Sequence, residues 1–230
     1  MIVAIHQPQY LPWLGYFDKM DQADAFCYLD SVQYKKNEWQ NRNRIKTAQG
    51  WQWLTVPVQY RFPQKIIEVN INKAVKWQHK HLQAMTTNYN KARFFDDYFP
   101  IFESALKQDF ETIADVNIHM STLIREILGI NSKPVAKASE LPLSEDPTGR
   151  LVDICKYFEG STYLAGQDGA KYMDTFQFSE AGIEVTTQAF HHPEYRQCFG
   201  EFQSHMSIID VIFNCGPDSL SILRKGRGHG

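Results

Sequence analysis

The residues of this chain best suited to chemistry fall in two proline-stiffened polar clusters, each placed just after an apolar run. In the first, Met1–Ile5 gives way to His6, Gln7, Gln9 and Tyr10, with Pro8 and Pro12 fixing the loop before Trp13 and Tyr16. In the second, the alternating run 183–190 gives way to His191 and His192, followed by Pro193, Tyr195 and Gln197. An imidazole titrates near neutrality and can take or return a proton, so His6, His191 and His192 are the candidate bases. Amide side chains donate and accept together, and aromatic rings stack, so Gln7, Gln9, Tyr10, Trp13, Tyr16, Tyr195 and Gln197 are candidate substrate contacts. No Ser or Cys stands at a nucleophile signature spacing, so no triad is assigned.

A third polar stretch lies between these clusters. Asp30 closes the apolar run 25–29, a position suited to gripping a ribose or an amine. Residues 31–46 then bring Gln33, Tyr34, Asn37, Trp39, Asn41, Arg42, Asn43, Arg44 and Lys46 together. Guanidinium groups fit carboxylate or phosphate, so this stretch is the candidate holder of a phosphate-bearing ligand. Gly166, opening a GxxG step between a strand and a helix, could bring backbone N–H groups to an anion. Asp210 and Asn214 share a helical face and would support the site. Each has a plain structural alternative: a turn cap for Asp30, a solvated hairpin for 31–46, a glycine turn at 166–169, and mutual capping for Asp210 and Asn214.

The elements that must position these groups follow from periodicity. Strand, proline loop and helix succeed one another over residues 1–22, which puts His6 at the carboxyl end of a first strand, where α/β sheets bind ligands. The expectation is a three-layer α/β domain spanning 1–230 with a mainly parallel central sheet, nucleotidylyltransferase- or Rossmann-like. It carries a β-rich extension near 44–72 and a helical insertion near 73–130. Pro100 is expected in the first turn of a helix, Gly129 ends another, Lys171 and Tyr172 begin a later one, and the tail from Arg224 is expected to fray.

Composition narrows the function. A formal net charge of -2 argues against a general nucleic-acid binder. Cys27, Cys155, Cys198 and Cys215 form no CxxC pair, His79 and His81 cannot share a helical face, and no metal site is assigned. No signal peptide or membrane span is read, which points to a cytoplasmic protein. The 15 Phe, 11 Tyr and 5 Trp, several beside Asn, Gln or Arg, suit a pocket for a polar small molecule. No motif assigns a cofactor.

The stretches HQPQYLPWLGYFDKM (6–20), LDSVQYKKNEWQNRNRIK (29–46), WLTVPV (53–58), TYLAGQDGAKYMD (162–174), HPEYRQ (192–197) and SIIDVIFNCG (207–216) resemble the bacterial WbqC-like family nearly end to end. Proteins of that family are associated with surface-polysaccharide (O-antigen) gene clusters, and some are described as glycine or acyl transferases. The resemblance therefore implies a transferase that moves a glycyl or acyl group to an amino sugar, in association with polysaccharide-assembly enzymes. It brings no proven catalytic residue. The opening also resembles nucleotidylyltransferase-type folds, but the second His of their HxGH motif would fall at Tyr16. Nucleotide binding, an adenylate-forming enzyme and a non-catalytic nucleotide-sugar-binding protein or scaffold stand as alternatives.

Overall fold

The computed structural model describes residues 1–167, 169 and 173–228. Its centre is a five-stranded parallel sheet. Strand β1 (Ile2–His6) lies in the middle, with β2 (Ala25–Tyr28) on one side and β8 (Thr162–Ala165) on the other. Beyond β2 lies β7 (Val135–Lys137), and beyond β8 lies β9 (Glu184–Thr187). The order β7-β2-β1-β8-β9 means that the chain builds outward from β1 in one direction, then returns to build in the other. The crevice at the carboxyl ends of β1 and β8 is thus the topological switch point of a doubly wound sheet, the usual ligand position in this architecture.

Helices cover both faces, which is why the strands read as apolar runs rather than alternating ones. Val3, Ile5, Cys27, Tyr163 and Ala165 pack against residues of α5 (Pro147–Tyr157) and α6 (Thr175–Glu180), among them Val152, Cys155 and Phe178. Ala4, Phe26, Tyr28 and Leu164 point the other way into the larger core. There they join α1 (Leu14–Gln22), α4 (Ile113–Leu128) and α7 (Ile208–Cys215). Fully buried side chains such as Phe17, Phe102 and Phe213 contribute about 1.5–3 kcal/mol each.

Between β2 and β7 the chain forms the hairpin β3 (Arg42–Thr47)/β4 (Gly50–Thr55), the short pair β5 (Val58–Gln59)/β6 (Asn70–Ile71), and the helices α2 (Trp77–Tyr89), α3 (Phe95–Leu106) and α4. Thr112 caps α4 in a reciprocal box with Asp115, and Gly129 ends it at φ 71°. Two local expectations change. Pro100 lies inside α3 rather than opening a helix. Asp174 caps α6, which starts at Thr175, while Lys171 and Tyr172 lie outside the described residues.

The second change is the tail. Instead of fraying, Arg224 at the end of α8 (Ser219–Lys225) and Arg227 beyond it reach back to α1. Arg224 donates from Nε to Asp21 Oδ2 at 2.8 Å and from Nη2 to Oδ1 at 3.0 Å. Arg227 Nε donates to Asp18 Oδ1 at 2.7 Å, and its Nη2 reaches Asp21. Burial pushes the Asp21 carboxyl up, but these guanidinium bonds outweigh it and hold the group below its ordinary range. No helix among the described residues is long and apolar enough to cross a membrane.

Candidate functional site

The switch-point crevice is a cavity of about 390 Å³. Its lining comes from β1 (Ile5, His6), the following loop (Gln7, Trp13), α1 (Gly15, Tyr16, Lys19), the β8 end (Tyr163, Gly166, Gln167, Gly169) and the β9 end (Gln188, Phe190). That size suits a small molecule of amino-acid or monosaccharide dimensions.

The loop that forms one wall is rigid because its carbonyls are taken. Gln7 O accepts from the Tyr16 hydroxyl at 3.2 Å, and Pro8 O accepts from Asn117 Nδ2 at 3.2 Å. Leu11, held at φ 43°, has its carbonyl bonded by Asn43 Nδ2 at 2.8 Å and Ser207 Oγ at 2.7 Å. Ile208 N donates to Pro12 O at 2.8 Å, and Gln40 Nε2 to Gln7 Oε1 at 2.7 Å. A bulky residue in the left-handed region persists only where its surroundings over-determine it. Here two buried donors on one carbonyl do so.

Four titratable groups line the cavity among the described residues; burial raises the Tyr16 and Tyr163 hydroxyls, which leaves His6 and Lys19 for acid–base work. His6 is half-buried, edge-on to Tyr16 at 4.7 Å, with Nδ1 3.1 Å from Gln7 O. Burial, then the nearby Lys19 charge, lowers its pKa to about 3. The ring is therefore neutral; Nδ1 carries the hydrogen given to Gln7 O, and Nε2 remains an acceptor. Lys19 is 2% exposed although it is an ammonium-bearing residue. Its Nζ donates to Ile5 O at 2.8 Å, and no carboxylate among the described residues pairs with it. Burial alone lowers its pKa to about 7. A lysine amine half free of its proton at neutrality can act as a base or a nucleophile, or can become a cation when an anion arrives.

Trp13 forms the roof. Its ring lies against Gly15, where an added Cβ would stand 2.3 Å from Cη2. It stacks on His205 at 5.4 Å and His192 at 6.2 Å and meets Phe190 edge-on at 5.5 Å. Gly15→Ala is therefore expected to expel the indole. Alanine gains about 1 kcal/mol of helix propensity, whereas overpacking costs about 1–3 kcal/mol. The net result should be a lower urea midpoint, altered tryptophan fluorescence and weakened ligand binding. An unchanged midpoint and spectrum would show that Trp13 does not pack as described.

A family model for the WbqC-like protein family matches residues 7–222, a span that includes the cavity roof, the pinned loop and all of the cavity lining except Ile5 and His6. The chain belongs to the WbqC-like protein family. A relative from Mycobacterium tuberculosis (strain ATCC 25618 / H37Rv), named "Uncharacterized protein Rv1507c", is 37% identical over 232 residues, covering 98% of each chain. No solved structure matches.

In this WbqC-like chain the residues singled out from sequence separate into groups. His6, Gln7, Trp13, Tyr16 and Gly166 line the cavity. His192 sits behind Trp13, its pKa lowered to about 4 mainly by burial and its Nε2 buried without a partner. His191 is exposed and outside the lining. Tyr10 is buried against His81, its hydroxyl 2.8 Å from Nδ1, and Gln9 turns a buried, unpartnered Oε1 inward. Asp30 caps the turn at Ser139 through N and Oγ, at 2.9 and 2.7 Å, and borders a separate cavity. Gln33 bonds the carbonyls of Tyr34 and Gln64, while the Tyr34 hydroxyl is buried without a partner.

Asn37 is exposed at φ 64°. Asn41 and Asn43 tie strand and loop carbonyls, with Asn41 Nδ2 bonding Val56 O at 3.2 Å. Lys46 is buried and bonds Glu201 O. Tyr195 and Gln197 bond Asp210. Trp39, Arg42 and Arg44 form an outward face away from the cavity lining. Lys19, Tyr163, Gln167, Gln188 and Phe190 are lining residues that sequence reasoning did not select.

Among the described residues no group of three or more His, Cys, Asp or Glu side chains is arranged to hold a metal ion.

Proposed function

We propose that the protein is a transferase of bacterial surface-polysaccharide assembly, moving a glycyl or acyl group from an activated, phosphate-bearing donor to an amino sugar in the switch-point cavity. The observation that carries this reading is Lys19: a buried amine with no counter-ion among the described residues, on a small-molecule-sized cavity, with its pKa lowered to about 7. The family's association with polysaccharide gene clusters supplies the substrate class.

In this scheme the sugar amine attacks the donor carbonyl carbon, a C–N bond forms, and the bond from that carbon to the leaving oxygen or sulfur breaks. The proton leaving nitrogen passes to Lys19 Nζ, and the donor remnant departs as an anion beside the resulting ammonium. His6 serves as the acceptor that orients an N–H or O–H of substrate, since a group with a pKa of about 3 is a weak base at neutrality. Gln167 and Gln188 offer amide oxygens for the remaining substrate donors. The role first assigned to the three histidines thus passes to Lys19.

The test incubates the protein with glycyl and acetyl donors and a panel of nucleotide-linked amino sugars, and follows the sugar by mass. Acyl addition is expected, with a rate that rises with pH through about 7. In Lys19→Met it should fall about 100-fold or more while the donor-induced thermal shift persists. Glycine-dependent ATP–pyrophosphate exchange with no sugar present would favour the adenylate-forming alternative. A thermal shift with nucleotide-sugar but no product from any donor would favour a binding protein.

A further inference from the structure

The β3–β4 hairpin presents two unlike faces because residues alternate along each strand. Ile45 and Leu54 are buried on the inner face. On the outer face Arg44 pairs with Trp53, and Trp51 is two residues away on the same strand. Trp39, from the preceding turn, completes the row: Trp39–Trp53 centroids are 5.7 Å apart and Trp53–Trp51 5.3 Å. These rings are 37%, 36% and 43% exposed. Arg42 lies 4.2 Å over Trp53, and Arg44 lies 5.1 Å from Trp51 and 5.7 Å from Trp39.

Three exposed indoles have no role in packing the core, and the two guanidiniums have no carboxylate within ion-pair distance among the described residues. Arg42 Nε and Arg44 Nε are buried without an acceptor, and Arg44 Nη2 lies 3.5 Å from His205 O, so the remaining Nη groups are what the face offers. We propose that this outward face, built from Trp39, Trp51, Trp53, Arg42 and Arg44, binds an acidic oligosaccharide. The indoles stand at 51° and 77° to one another, a ridged apolar seat for the C–H faces of sugar rings, and the guanidinium groups beside them take the carboxylates that such rings carry. Residues 37–56 hold Glu38 as their one acid against Arg42, Arg44 and Lys46, so the charge of the face complements an anionic ligand.

A polynucleotide is the weaker fit, because it requires a longer basic groove than two guanidiniums provide. A stable protein partner requires a broader apolar surface than three half-covered rings. The face also leads to the cavity. Arg44 O accepts from Ser207 N at 2.8 Å, and the neighbouring His205 stacks on Trp13, the cavity roof. Binding is nonetheless independent of any reaction there and is read without turnover.

The probe is trigalacturonate, titrated into the full chain and followed by tryptophan fluorescence. Saturable quenching is expected, with maltotriose, its uncharged counterpart, binding at least about ten-fold more weakly. Arg44→Ala and Trp51→Ala, both at the surface, should each weaken trigalacturonate at least about ten-fold without moving the urea midpoint. Arg44→Lys, which keeps the charge but loses the fork, should also weaken it and serves where the alanine variant is unstable. The proposal is overturned by absent quenching, by equal binding of maltotriose, by tighter binding of a decathymidylate strand, or by wild-type affinity in all three variants.

Discussion

Lys19→Met should leave the protein more stable at pH 7 than the wild type while removing the proposed acyl transfer. The amine lies in the core with one acceptor, Ile5 O. Burial lowers its pKa from 10.5 to about 7, so folding works against the protonated form. Each pKa unit corresponds to about 1.4 kcal/mol, giving a penalty on the order of 4 kcal/mol at neutral pH. The lost hydrogen bond offsets about 1 kcal/mol of the gain. Because the folded pKa lies below the unfolded one, the penalty is complete below about 7 and fades as pH rises towards 10.5. Wild type should therefore gain stability on the variant across that window. Urea midpoints of the two proteins at about pH 7 and about pH 10 read the difference directly. Curves that keep a constant separation would mean that Lys19 titrates normally.

Asp210→Ala should produce the largest loss of stability. Asp210 is fully buried and receives three side-chain donors at 2.7 Å: Tyr89 OH, Tyr195 OH and Gln197 Nε2. Burial pushes its carboxyl up, and those donors only partly counter it. Removing the acceptor strands the two hydroxyl donors, while Gln197 Nε2 keeps Gln203 O at 3.0 Å; a stranded buried donor costs about 1–3 kcal/mol, so the expected loss is about 2–6 kcal/mol. Tyr195→Phe removes one donor along with its bond and should cost about 1–2 kcal/mol. Tyr89→Phe also leaves the buried Lys46 N without the hydroxyl it donates to at 3.0 Å and should cost more than Tyr195→Phe, though less than Asp210→Ala. Denaturant unfolding of the three variants tests this ranking. A mild Asp210→Ala would sink the network. The effect reaches the cavity because Gln197 also accepts from Gln203 N, tying down the segment that brings His205 under Trp13.

Much of this was legible in the sequence because it rests on local chemistry. The run Met1–Ile5 and its proline loop gave strand and turn, and alternation at 183–190 gave the last strand. His6, Gln7, Trp13, Tyr16 and Gly166 were placed at strand ends, where parallel sheets open. Lys19 was not legible. A lysine between aspartates on a short helix reads as solvated, and only tertiary packing shows that α1 is buried nearly all round, with Asp18 and Asp21 satisfied from α8. The amide-rich stretch misled for a related reason. Asn41 and Asn43 suit a ligand as well as they suit backbone carbonyls, and composition cannot say which. Asp30 has the same ambiguity, and Ser139 takes both its oxygens.

The clasp between α1 and α8 bears on the order of events during synthesis. Asp18 waits for Arg227 across 209 residues, and Gln188, which bonds Gly15 O and Asp18, waits across 173. Contacts that distant close late, after their loop entropy has been met by nearer ones. A nascent chain can therefore emerge with its first strand and helix made and still have two aspartates and an unpaired lysine facing an open crevice. The cavity wall formed by Gln188 and Phe190, and the clasp of Arg227 on Asp18, are completed only when residues 188–227 have docked.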